Sequence, residues 1–272
     1  MSTIHEGVAA VPIFVTEQGI VHYEKYGRGR PVLLLHGWLG SWALWRDTIE
    51  ILGREFSTYA LDFFGFGDSF EYTGNFSVDN FVNLVGEFMD RLGIVKAPLI
   101  GHSMGGTVSL AAATRFPEKV VKVGVVGSPI QGTSLNLLLK LSGYRAFARL
   151  IWTSPPLFRL FLRGYAYLMS RNGKRLGRMI TEDVSKVTVD SFFQSIGTLR
   201  DTDLRGQIGQ LKMPVLGVYG KRDIIVSPKQ SRVLKQYVPH SQIAWFEKAG
   251  HFPMLDEPEH FHETVRDFLH NG

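Results

Sequence analysis

The chain has 272 residues, 44% of them hydrophobic and 12% aromatic, enough apolar material to bury a large core and to exclude disorder as its dominant state. It carries no cysteine, which rules out disulfides, thiolate metal ligands and a cysteine nucleophile and fits a reducing, cytoplasmic compartment. The formal charge of +5 is modest, and no apolar run approaches the ~20 residues that span a bilayer. The N-terminus lacks the basic start and unbroken apolar core of a signal peptide, because Glu6, Pro12, Thr16 and Glu17 interrupt it.

In chain order, Val11 to Val15 and Ile20 to Tyr26 are β-rich runs around Glu17-Gln18-Gly19, the pattern of an antiparallel hairpin at a sheet edge. Pro31 to Leu35 is apolar without alternation, as expected of a strand covered on both faces, and ends in the glycine loop His36-Gly37-Trp38-Leu39-Gly40. A helix is predicted from about Trp42 to Leu52, a strand from Thr58 to Asp62, and a second glycine loop from Phe63 to Ser69. Ser77 caps a helix running to about Leu92. Leu99-Ile100 leads into Gly101-His102-Ser103-Met104-Gly105-Gly106, which opens a helix to about Phe116, and Val120 to Val126 is a further buried strand. Residues 130 to 200 read as helices only, broken at Pro155-Pro156. Strands resume at Pro214 to Tyr219 and Gln242 to Phe246. Between them Ser227 to Gln230 would start a helix as a capping box, and Asp256 to Glu259 would start the last helix in the same way.

Helices between successive buried strands imply an α/β domain with a mostly parallel sheet, since parallel pairing needs crossover connections. The core takes residues 1–129 and 201–272, and residues 130–200 form a helical cap over the carboxyl ends of the strands, where such sheets bind ligands.

Ser103 sits at the apex of a strand, a glycine-pinched turn and a helix, the steric setting of an exposed nucleophile. A serine hydroxyl needs a base and the base needs an orienting acid, each in a loop at a strand's carboxyl end and in the order Ser, acid, His. His251 meets the requirement for the base, and Asp223 that for the acid; Asp201 and Asp203 compete but precede their nearest strand. Backbone N–H groups of Trp38 and Met104 are placed to receive a developing oxyanion. His36 reads as a structural residue bonding its own loop, and His102 as packed beside the turn. His260 and His262 lie two residues apart on a helix and cannot share a face, which disposes of a metal pair there. Asp62 and Asp68 suggest a metal, but without a His or carboxylate cluster nearby the loop is read as a turn shaping the pocket floor. No metal or cofactor is expected.

Together H-G-W-L-G at 36–40, D-F-F-G-F-G-D-S at 62–69, G-H-S-M-G-G at 101–106, G-K-R-D at 220–223 and G-H-F-P at 250–253 resemble the α/β-hydrolase superfamily of the Ser-His-Asp type over nearly the whole chain. The resemblance implies a mostly parallel eight-stranded sheet and a carboxylic-ester-type hydrolase with an acyl-enzyme on Ser103. It separates this chain from haloalkane dehalogenases and soluble epoxide hydrolases, similar proteins with aspartate at the nucleophile position. The apolar Phe63-Phe64 departs from the family's polar loop and points to a greasy pocket, with Phe64, His102, Trp152 and Phe252 expected to bind substrate. The same triad serves carbon–carbon bond hydrolases, lactonases, thioesterases and perhydrolases, and a non-catalytic ligand-binding protein can retain the fold.

Between Gln131 and Thr181 there are nine basic residues and no acid, interleaved with bulky aliphatic and aromatic side chains. Such a cap can cover the cleft with its arginines reaching into water, or rest on an anionic membrane surface and admit a hydrophobic ester. Nothing resembles a nucleic-acid module.

Overall fold

The unbroken apolar run Pro31–Leu35 forms strand β3, whose last four residues are buried because neighbours cover both faces. It lies inside a sheet seen in a computed structural model that describes residues 12–271. Glu6 and Val11, used above for the leader and the first strand, lie outside the described residues. Flanking β3 in sequence are β1 (Ile13–Val15), β2 (Gly19–Tyr26), β4 (Ser57–Leu61), β5 (Phe70–Glu71), β6 (Ala97–His102), β7 (Val120–Val126), β8 (Val215–Gly220) and β9 (Gln242–Phe246). The spatial order is β1-β2-β4-β3-β6-β7-β8-β9, with β5 beside β2. Contacts of β2 with β1, β4 and β5 are antiparallel, and every pairing from β4 through β9 is parallel. The main path therefore holds the expected eight strands, and the two-residue β5 adds a ninth.

The helices are α1 (Arg46–Leu52), α2 (Val78–Arg91) and α3 (Met104–Arg115), then α4 (Leu137–Ser142), α5 (Arg145–Trp152), α6 (Pro155–Met169), α7 (Gly173–Val184), α8 (Val189–Asp201) and α9 (Arg205–Ile208) between β7 and β8. After β8 come α10 (Gln230–Tyr237), α11 (Pro253–Asp256) and α12 (Pro258–His270). Among the described residues no helix is long and apolar enough to cross a membrane. Pro155 does more than break the chain: it occupies the first turn of α6, where its missing N–H costs nothing.

Two predicted capping boxes do not form. The helix expected after Ser227 starts only at Gln230, whose side chain instead accepts from the N–H groups of Ile130 (2.8 Å) and Gln131 (3.0 Å), tying down the exit from β7. Asp256 likewise leaves α12 uncapped. Its carboxylate accepts from Gly250 N–H (2.8 Å), Arg171 N–H (2.8 Å) and the Ser170 hydroxyl, joining the loop before α11 to the corner between α6 and α7. In each case a long-range N–H outcompetes the local one, which water can satisfy at an exposed helix start.

Chain order reverses at β3: β4 lies on one side and β6 on the other, so the carboxyl ends of β3 and β6 open on a common crevice. The register Leu35↔Gly101 sets the His36–Gly40 loop beside His102–Ser103. Close approach of α3 to this point requires glycine. A Cβ on Gly105 would lie 2.3 Å from the Leu35 carbonyl oxygen and 2.5 Å from that of His36, both rigid backbone. Gly105→Ala is accordingly expected to destabilise by about 3 kcal/mol and to lower Tm by roughly 6–12 °C. Gly164→Ala on α6, where nothing lies within 4 Å, should instead leave Tm equal or slightly higher. Equal Tm values for the two variants in calorimetry would refute the packing argument.

Candidate active site

Ser103 follows β6 directly and caps α3 with φ 51° and ψ −117°, a left-handed conformation that costs a non-glycine residue on the order of 1–3 kcal/mol. The neighbouring structure holds it there: Ser103 N–H donates to the Val126 carbonyl (2.8 Å), and its own carbonyl accepts from Gly106 N–H (3.0 Å). Gly37 is the close neighbour across the turn, since a Cβ there would sit 3.1 Å from Ser103 Cβ.

β8 ends in the turn that presents Asp223, and β9 leads to His251; the parallel register Gly220↔Phe246 brings the two loops together. His251 Nδ1 lies 2.7 Å from Asp223 Oδ2, with both side chains buried. The other carboxylate oxygen, Oδ1, accepts from Ile225 N–H (2.8 Å) and Val226 N–H (3.0 Å), so Asp223 is fixed on both sides. His251 is held through its backbone as well. Its N–H donates to the Met169 carbonyl at the end of α6 (2.9 Å), and its carbonyl accepts from His102 Nε2 (2.9 Å). Burial, with the neighbouring His251 adding, drives His102 well below the ordinary imidazole range. His102 is thus neutral near pH 7 with its proton on Nε2, a rigid strut behind His251. Asp201 and Asp203 lie apart, paired with Arg200 and Arg205 on the surface.

Ser103, His102, His251, Trp38 and Phe252 line one cavity of about 510 Å³. No hydrogen bond joins the Ser103 hydroxyl to His251 among the described residues. The N–H groups of Trp38 and Met104 have no protein acceptor among the described residues either, and Met104 is fully buried. The Trp38 ring is anchored away from its N–H by donating to the Phe192 carbonyl (3.1 Å) and packing on that ring at 4.7 Å.

Two of the side chains expected in the pocket are elsewhere. Phe64 is 1% exposed within the core and does not line the cavity, because its loop folds back on itself. Asp62 closes that loop. Its Oδ1 accepts from Trp42 N–H (2.6 Å) and its Oδ2 from Asp68 N–H (3.0 Å), turning the phenylalanines inward, where Phe63 stacks on Phe81. Trp152 stands behind the wall, packed on Phe158 and Phe192. A histidine does reach the Asp62 loop, contrary to the sequence reading: His22 on β2 lies 2.8 Å from Asp62 Oδ2. Burial opposes its protonation, yet the Asp62 carboxylate raises His22 above the ordinary range overall. With Asp68 these two residues place ligand-type atoms within 4.8 Å of one another. Both Asp62 oxygens are already engaged by N–H groups, and Asp68 pairs with Lys186 (2.6 Å), so the group reads as a loop clamp. His36 bonds its loop as expected, with Nδ1 2.7 Å from the Gly37 carbonyl and Nε2 accepting from Phe63 N–H.

One cavity residue was missed: Asp183 on α7, a buried carboxyl in a largely apolar wall. Its sequence signal is a lone acid on the face marked by Leu176 and Ile180. Burial pushes its carboxyl up to about 7, with Ser41 and Lys186 opposing and the charge of Asp62 assisting. In the unfolded chain the group ionises near pH 4, whereas the folded protein keeps it protonated to about pH 7. The stability this contributes is complete below pH 4 and is lost as pH rises towards 7. Asp183→Asn should therefore stay within about 1 kcal/mol of the wild type in urea unfolding at pH 4.5 and exceed it at pH 8 by on the order of 2–4 kcal/mol. A pH-independent difference would refute the assignment.

A family model described as the alpha/beta hydrolase fold matches residues 30–258. The chain is 28% identical to a pimeloyl-[acyl-carrier protein] methyl ester esterase of Vibrio parahaemolyticus over 263 residues, spanning 91% of this chain and 97% of that one. A hydrolase from Pseudomonas aeruginosa superposes with a TM-score of 0.83 at 18% identity, covering 97% of this chain and 99% of the other. The enol-lactonase of Burkholderia xenovorans superposes with the same score at 20% identity, covering 95% and 99%. Strand order, the serine turn after the strand beside the switch point and the match along most of the sequence agree, and the chain belongs to the alpha/beta hydrolase fold family.

Proposed function

We propose that this protein is a serine hydrolase that cleaves carboxylic esters with a hydrophobic part through an acyl-enzyme on Ser103. What carries the reading is the convergence on one apolar cavity of a serine at a strained turn and a histidine whose ring is held by a buried carboxylate. Asp223 keeps the proton on His251 Nδ1, leaving Nε2 to take the Ser103 proton as Oγ attacks the ester carbonyl carbon. Trp38 and Met104 N–H donate to the oxygen as it becomes negative. The intermediate collapses, the carbon–oxygen bond to the alcohol breaks, and His251 returns the proton to the leaving alkoxide. Water then attacks the acyl carbon, giving its proton to His251, and the acid departs as Ser103 regains its hydrogen.

The Vibrio relative, a methyl ester esterase, supports an ester as the bond cleaved. The wall supports an acyl or alcohol chain as its occupant, for Leu138, Leu150, Phe158, Leu162 and Met179 surround the nucleophile's cavity. A series of nitrophenyl esters of increasing chain length, with a fluorophosphonate label, tests the reading. Label on Ser103 and turnover that rises with chain length are expected. Turnover of a dienedioate-type ketone with none of any ester would move the reaction to carbon–carbon cleavage, and neither label nor turnover would leave a ligand-binding protein.

A further inference from the structure

Nine of the eighteen exposed large apolar residues among those described fall between Leu137 and Leu168. They are concentrated on α6. Leu157, Leu160, Phe161, Gly164 and Leu168 recur at three- and four-residue spacing on its outer side, and Leu157, Leu160 and Leu168 are each about two-thirds exposed at 64%, 65% and 64%. The opposite side of the same helix buries Leu162, Ala166 and Met169. A water-soluble helix seldom keeps both sides apolar, and such an exposed stripe marks a contact surface.

Two observations say what that surface meets. Of the nine basic residues between Gln131 and Thr181, Arg145 faces Asp190 and Arg175 pairs with Asp47, while the other seven have no carboxylate within 4.0 Å among the described residues. Arg159 and Arg163 flank the stripe on α6 itself, with no acid among the stripe's own residues. The stripe is also continuous with the active-site cavity, because Leu157, Phe161 and Tyr165 line both the outer groove and the cavity.

We propose that α6 and the arginines beside it seat this protein on an anionic phospholipid bilayer, with Leu160 and Leu168 entering the interface and the cavity mouth opening towards the lipid. Arginine guanidinium groups meet lipid phosphates, and the leucines meet the outermost acyl carbons. A hydrophobic ester can then pass from bilayer to Ser103 without crossing water. Only this last step rests on the function proposed above; the docking does not.

Co-sedimentation of the full chain with phosphatidylcholine–phosphatidylglycerol vesicles, against phosphatidylcholine alone, tests it. Binding to the mixed vesicles is expected to exceed binding to neutral ones by about tenfold or more. Replacing Arg159 and Arg163 together by glutamine should weaken it about 10- to 30-fold, and the pair Leu160→Glu with Leu168→Glu by about tenfold or more. These four residues lie outside the cavity lining, so circular dichroism and turnover of a short water-soluble ester should not change. Equal binding by wild type and both double variants would overturn the proposal. So would a doubled mass in light scattering that the leucine variants abolish, which would assign the stripe to a second copy, or binding of polyglutamate with none of vesicles, which would assign it to an acidic protein. Repeating sedimentation with Ser103→Ala separates the two readings, since docking must survive loss of catalysis.

Discussion

Ser103→Ala is expected to lower kcat/KM for every ester by about ten-thousand-fold or more and to abolish fluorophosphonate labelling, while the fold is retained. Removing Oγ removes the atom that forms the acyl bond, and only substrate binding and the N–H donors of Trp38 and Met104 remain to assist water. The backbone adds a discriminating measurement. At φ 51° alanine carries the same Cβ strain as serine, whereas glycine carries none, so Ser103→Gly should be equally inactive yet more stable than Ser103→Ala by about 1 kcal/mol or more. Residual turnover near wild type in either variant would remove Ser103 from the mechanism. Equal stability of the two would show that the turn is not strained.

Asp223→Asn is expected to cost about ten-thousand-fold in kcat with little loss of stability. An asparagine oxygen can still accept from Ile225 and Val226 N–H, but its NH2 then faces His251 Nδ1. The ring must accept there, which moves its proton to Nε2 and leaves nothing to take the Ser103 hydrogen. Asp223→Ala should be as inactive and also less stable, by roughly 1–3 kcal/mol for each backbone N–H left buried without an acceptor. Kinetics beside urea unfolding separate the two effects. A kcat within tenfold of wild type for Asp223→Asn would mean that another group orients His251.

The positions of these residues are legible in the sequence because each lies at a break in a periodic pattern. β3 and β7 coincide with their apolar runs residue for residue, and interior parallel strands need such runs since both faces are covered; β9 also spans the predicted residues but lies at the sheet edge with only Phe246 buried. Once the strands are placed, Ser103, Asp223 and His251 fall in the loops at their carboxyl ends in the order serine, acid, histidine. The Trp38 loop follows from the same logic.

Where side chains turned out differently, a distant partner decided. Gln230 and Asp256 carry the residue types of helix starts, yet they bond Ile130, Gln131, Gly250 and Arg171, none within a helical turn of them. Phe64 reads as pocket-forming until Asp62 folds its loop inward. His22 is 40 residues from Asp62 in sequence and meets it only because β2 pairs with β4.

Local periodicity and chain order are enough to set the strand succession, the order of Ser103, Asp223 and His251 along the chain, and the basic, apolar stretch between β7 and β8. That Asp183 faces the cavity, that His102 braces His251 and that α6 turns Leu157, Leu160 and Leu168 outward depends instead on contacts between segments far apart in the chain. Periodicity assigns residues to one side of a helix, but α6 is apolar on both sides, and which of them finds a neighbour is settled by packing across long sequence separations.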